Sequence, residues 1–102
     1  MVQYNNRNAL VPVGTNAVEV FNLVPEKVRV VFTIKNTSTG GQVITLAFGG
    51  TPAVSLNGNV LNPGESWVES VDSGFEPTFE IISAIADNAG GQISIYERKI
   101  RV

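Results

Sequence analysis

Turn-forming residues interrupt this chain at short, regular intervals, and that spacing limits what it can fold into more than any other feature. They fall at residues 12–14, 25, 36–41, 49–52, 57–59, 62–64, 72–77 and 87–91, leaving stretches of about ten residues or fewer over most of the chain. Stretches that short suit strands better than helices. The clearest is Val28-Arg29-Val30-Val31-Phe32-Thr33-Ile34-Lys35, with Val28, Val30, Phe32 and Ile34 on one face and Arg29, Thr33 and Lys35 on the other. Such period-two alternation describes a strand with one buried face. Beyond residues 37–41, Ile44, Leu46 and Phe48 alternate with Val43, Thr45 and Ala47, and the two runs read as a hairpin. Further strands are expected at 18–22, 66–71, 79–86 and 92–96, and a weaker one at 9–13. Residues 79–86 also admit a helix, since Phe79, Ile82, Ile85 and Ala86 would share a helical face behind Pro77. The alternation Phe79-Ile81-Ser83-Ile85, and the glycine turn that follows, favour a strand.

Six to eight short strands in 102 residues make one domain, and each strand buries one face only if a second sheet covers it. The expected fold is all-β, an antiparallel β-sandwich with jelly-roll-like character. Its expected core is Val30, Phe32, Ile34, Ile44, Leu46, Phe48, Ile81, Ile93 and Ile95. Gly40-Gly41-Gln42-Val43-Ile44 and Gly90-Gly91-Gln92-Ile93-Ser94 repeat one turn pattern. Shared hairpin chemistry explains the pair, and a duplicated pair of hairpins is the alternative.

The chain contains neither Cys nor His, which removes disulfides, thiol and imidazole catalysis and most transition-metal sites. Nine acidic residues against seven basic ones give a net charge of −2, the wrong sign for a nucleic-acid partner. Apolar residues, 43% of the total, never approach the run of about 20 that a membrane helix needs. The first eight residues lack the basic start and apolar stretch of a secretory signal, so synthesis and release in the cytoplasm are expected. Catalysis would have to use carboxylates, and Glu65, Glu69 and Asp72 around Trp67 are the one serious set, in the manner of a glycosidase. Their place beside Pro63-Gly64 suits solvated turn residues better, so no enzyme, catalytic residue or cofactor is expected. Asp72-Ser73 and Asp87-Asn88 lack the spaced ligands of a calcium site, and Gly49-Gly50 matches no phosphate loop. Trp67, Tyr96, Phe75 and Tyr4 could form a sugar platform, although aromatics in so small a domain more often serve core or subunit interface.

The two ends differ from the middle. Residues 1–8 hold three Asn, one Gln and one Arg, the composition of an N-terminal arm preceding a sandwich over 9–102. Glu97-Arg98-Lys99-Ile100-Arg101-Val102 carries three of the seven basic residues and reads as a basic C-terminal arm. Continued alternation past Ile93 and Ile95 would aim Glu97, Lys99 and Arg101 into the core, which uncompensated charge forbids. Either the sandwich ends near Tyr96 or a bulge switches the faces. The candidate interface residues are therefore Tyr4, Arg7, Tyr96, Arg98, Ile100 and Val102, with Val31, Val43 and Phe21 as apolar positions opposite the expected core.

From Arg29 to Arg98 the chain resembles small virion structural proteins of tailed and icosahedral phages. The resemblance lies in the strand closing on Asn36-Thr37-Ser38, the Gly-preceded strand 42–48, the Leu61-Asn62-Pro63-Gly64-Glu65 turn before Trp67, and Ile81-Ile82-Ser83-Ala84-Ile85 before a glycine turn. It implies a head decoration, spike-base or minor capsid component with a β-sandwich or jelly-roll fold. It implies too a virion location, contact with the major capsid or another virion protein, and a homo-oligomer, trimer before pentamer, matched to local particle symmetry. A carbohydrate-binding, lectin-like module is the alternative, favoured by an exposed Trp67 and weakened by a buried one.

Overall fold

A computed structural model describes residues 3–74 and 76–101 of the chain. Eight strands form: β1 (Tyr4–Val13), β2 (Val18–Phe21), β3 (Arg29–Asn36), β4 (Ile44–Phe48), β5 (Asn59–Leu61), β6 (Ser66–Ser70), β7 (Ile82–Ala86) and β8 (Gly91–Ile100). They make two four-stranded sheets, a front sheet ordered β1-β8-β3-β6 and a back sheet ordered β2-β7-β4-β5, with every pairing antiparallel. The partners β4–β5, β3–β6, β2–β7 and β1–β8 nest outward from the β4–β5 turn, so the chain is a long two-stranded ribbon rolled into two layers. That is the jelly-roll solution, in which consecutive strands switch sheets at nearly every step. The one helical turn among the described residues, Val71–Ser73, is capped by the Ser70 hydroxyl and closed by Gly74 at φ 88°.

Rolling the ribbon corrects the hairpin expectation. β3 lies in the front sheet and β4 in the back, so residues 37–43 cross between layers, and β7 and β8 are divided in the same way. Both Gly-Gly-Gln turns are therefore crossovers. They meet at one end of the sandwich, where the Gln42 amide donates to Ala89 O at 2.9 Å and its own oxygen accepts from Gly40 N at 3.0 Å. Gly91 is needed there for space: a Cβ would lie 2.6 Å from Val13 O and 3.0 Å from Ala86 Cβ.

Phe32, Ile34, Ile44, Leu46, Ile93 and Ile95 are buried as expected, whereas Val30, Phe48 and Ile81 are half-buried. The Ile81 assignment fails because β7 pairs Ile44 with Ala86, Leu46 with Ala84 and Phe48 with Ile82, turning Ile82 and two small alanines inward against large neighbours. Val30 is displaced by a bulge between Arg29 and Val31 in the β3–β8 ladder. A second bulge, between Glu19 and Phe21, turns Phe21 into the core, so it is no exposed interface residue. Phe21, Phe32, Phe48 and Trp67 then alternate between sheets with ring centroids 5.5, 6.5 and 5.4 Å apart. Such tilted aromatic contacts add to the area that they bury.

The β3 bulge also sends Arg29 inward, and there it solves the problem of Glu97. The front sheet does not end near Tyr96. β8 runs on to Ile100 with Glu97 facing the core, 4% exposed, its carboxylate 2.7 Å from Nε of the 1% exposed Arg29. Arg29 also donates to Thr78 O at 2.7 Å, Glu80 O at 3.2 Å and Asn22 O at 2.8 Å, and lies over the rings of Phe21 and Phe32. At the other end of β3 the buried Asn36 amide donates to Gln42 O at 2.8 Å and Leu61 O at 2.9 Å, while its oxygen accepts from Ser38 N. Every polar group that β3 buries is thus satisfied.

Replacing Arg29 by Met leaves the buried Glu97 with only the partly exposed Lys99 Nζ, 3.9 Å away, as a cation and should lower the unfolding free energy by about 3–5 kcal/mol. Urea titration measures this, and a loss below about 1 kcal/mol would show that the pair is not structural. Gly91→Ala should cost about 1–3 kcal/mol by overpacking against Val13 and Ala86 in the same assay.

Candidate assembly face on the front sheet

The outward side chains of the front sheet follow from its register. Asn6 opposes Arg98, Arg98 opposes Val31, and Val31 opposes Ser70; one level along, Asn8, Tyr96, Thr33 and Val68 line up, then Leu10, Ser94, Lys35 and Ser66. Tyr4 and Ile100 complete the face at one end. None of these strand positions is acidic; Arg98 and Lys35 are their charges. Leu10, Val68 and Tyr4 are 63%, 59% and 44% exposed. These are the large exposed apolar side chains of an otherwise polar, acid-free sheet face.

The strands of the back sheet are covered instead, although the cover itself exposes Val54 and Leu56, at 56% and 64%. Residues 49–58 fold across the sheet, where Ala53 N donates to the Ser83 hydroxyl and Leu56 N to the Thr45 hydroxyl, each at 2.9 Å. Ala53, Ser83 and Thr45 are buried as a result. This strap carries no charge from Gly49 to Gly58 and holds Leu56 at φ 60°.

Tyr4, Tyr96, Arg98 and Ile100 share the front face. Arg98 lies 5.0 Å from the Tyr4 ring centroid and donates to Asn6 Oδ1 at 3.0 Å, the oxygen that Tyr96 OH also reaches at 3.2 Å. Arg101 joins them from the end of the ribbon, donating to Asn5 and Gln3 side-chain oxygens at 3.1 and 3.2 Å. Arg7 belongs to the other side: it reaches inward to Val20 O at 3.2 Å and ties β1 to β2. Val102 lies outside the described residues. The segments read as arms are, where described, halves of one ribbon, with residues 4–8 paired to 96–100 and β8 held by β3 on its other side. Leu10 and Val68 escaped the sequence reading, although Ser66-Val68-Ser70 alternates legibly; Val31 is on the face and half-buried, and Val43 is half-buried too.

Two of the three carboxylates around Trp67, those of Glu65 and Glu69, are occupied by the chain itself. Glu65 accepts from Asn62 N at 2.7 Å, closing the Pro63-Gly64 turn. Glu69 accepts from the Trp67 indole and from Thr78 N, both at 2.9 Å. Asp87 accepts from Val43 N at 2.9 Å. Trp67 faces inward from β6 and packs on Phe48, which weakens the case for a sugar platform. Phe75 lies outside the described residues, and Tyr4 and Tyr96 stand at different levels of the ribbon. Among the described residues no three His, Cys, Asp or Glu gather where they could hold a metal ion.

No family model matches the sequence, and no curated protein matches it. Among solved structures the fold is similar to a chain from Bacillus endospore appendages, described as a novel family of disulfide-linked pili, with a TM-score of 0.57, 14% identity, and 99% of this chain and 89% of that one covered. Disulfide links have no counterpart in a sequence without Cys. At that identity the likeness is one of fold alone.

Proposed function

We propose that this chain is a structural subunit that assembles with copies of itself through its front sheet and performs no catalysis. The observation that carries the reading is the outer face of the front sheet. The back-sheet strands lie under the chain's own strap, which exposes Val54 and Leu56, whereas the front sheet presents Tyr4, Leu10, Val68 and Tyr96 directly from its strands on an acid-free face. A surface of that kind fits neighbouring protein better than water. The fold likeness to a pilus protein supports the same reading, and the carboxylates nearest to a catalytic arrangement already serve backbone and indole N–H groups.

The setting is a further step. The strand and turn pattern from Arg29 to Arg98 supports a place on a virion, as a decoration or minor capsid component in contact with the major capsid protein. The jelly-roll likeness to an appendage chain favours a second setting, a filament. A closed trimer or pentamer fits the first and an open fibre the second.

Sizing chromatography with light scattering, followed by negative-stain microscopy, should show oligomers or fibres at raised protein concentration. Val68→Glu places a charge on an exposed position, so it should change unfolding free energy by no more than about 0.5 kcal/mol while reducing assembly. A wild-type protein that stays monomeric at every concentration would overturn the proposal.

A further inference from the structure

The front sheet leaves two backbone edges bare among the described residues, β1 on one side and β6 on the other. The Gln3 carbonyl accepts from Arg101 N at 2.7 Å, so odd-numbered residues of β1 face β8, and the N–H and C=O groups of Tyr4, Asn6, Asn8 and Leu10 point away from the sheet. The Glu65 carbonyl accepts from Asn36 N at 2.9 Å, so by the same alternation Ser66 and Val68 of β6 point outward at the opposite edge. Edges of this kind can pair with another chain. The back sheet offers little by comparison: β5 has 3 residues, and β2 has 4 with a bulge.

Direction and charge select the partner. With four antiparallel strands, β1 and β6 run in opposite senses, so a copy displaced along the sheet brings its β6 alongside β1 already antiparallel. The β1 side carries Arg7, Arg98, Lys99 and Arg101, two of which bond directly to side chains of the first strand or of Gln3 before it, and its acid on β8, Glu97, is buried against Arg29. The β6 side carries Glu65, Glu69 and Asp72, with Lys35 as its cation. Pairing β1 with another β1, or β6 with another β6, sets like charges together. Pairing β1 with β6 sets opposite charges together and keeps the acid-free faces on one side of a continuous sheet.

We propose that a second copy of this chain docks its β6 edge on the β1 edge, extending the front sheet from subunit to subunit. This rests on the structural-subunit reading and names its partner surface. Unstaggered docking places Val68 of the added copy opposite Asn8 and its Ser66 opposite Leu10, with a repeat of four strands, or about 19 Å, along the sheet. The contact is head-to-tail, so it propagates until the rotation per subunit closes it.

A chain without cysteine allows a clean test with two single variants, Asn8→Cys and Val68→Cys. Mixed in equal amounts with a short bis-maleimide, they should give cross-linked dimers several-fold more abundant than either variant alone, and the double variant should give a ladder. Raised salt should weaken both. Asn8→Pro removes an N–H at the open edge, so it should keep the far-ultraviolet spectrum and lose assembly. Cross-linking of Asn8→Cys with itself as strong as in the mixture would overturn the proposal in favour of a two-fold contact. Absent cross-linking in a protein that sizes as an oligomer would overturn this interface and leave the structural-subunit reading standing; a protein monomeric throughout would overturn both.

Discussion

The ion pair between Arg29 and Glu97 is the constraint around which one end of the sandwich is built. It lets β8 continue as a central strand past the point where apolar residues run out, because the first charge to face inward meets a cation already there. The same guanidinium gathers carbonyls from Asn22, Thr78 and Glu80, joining the front sheet to the segments that lead into β3 and β7. Burying two charges gains little net energy against apolar residues of equal shape, so its main effect is on register. A one-residue slip of β8 would turn Tyr96 and Arg98 inward and leave Arg29 without its acid. Asn36 does comparable work at the other end of the strand without charge.

Alternation was enough to read β3 and β4, because in each only one face is continuously apolar. It could not orient residues 79–86, where both faces qualify: Ile81 and Ile85 on one, Ile82, Ala84 and Ala86 on the other. The choice is made by β4, whose large Ile44 and Leu46 leave room for alanines. Sequence order also suggested hairpins at both glycine turns, since local reading has no means of seeing that ribbon partners lie far apart in the chain. The inward Glu97 was recognised as a difficulty, but its answer lay in a bulge 68 residues away. On the outer face of the front sheet, Tyr4, Tyr96 and Arg98 were legible from their place near the ends of the sequence, Arg7 lies on the other side, and Leu10 and Val68 acquire meaning only when the register aligns them.

The two outer faces manage exposure differently. On the back sheet, two buried hydroxyls anchor the strap by accepting its backbone N–H groups, so a stretch lacking any charge is still fixed in place. On the front, the Arg98, Asn6, Tyr96 and Tyr4 cluster orders one corner while leaving the rings accessible. An ordered surface loses less side-chain freedom when a neighbour arrives, which favours association without adding any contact.

The nested ribbon has a consequence for how the molecule comes into being. Because β1 lies against β8 through ten consecutive pairs, with contacts such as Tyr96 to Asn6 bridging 90 residues of sequence, β1 leaves the ribosome well before β8 and waits for it before the front sheet can close. Non-local pairing of that kind folds slowly. During the wait β1 has no β8 to cover it, and the cluster of Asn and Arg at its start keeps the nascent segment hydrated rather than adhesive. Completion of β8 then acts as a timer: the edge that β1 presents to the outside acquires its final geometry only once both halves of the ribbon have been made.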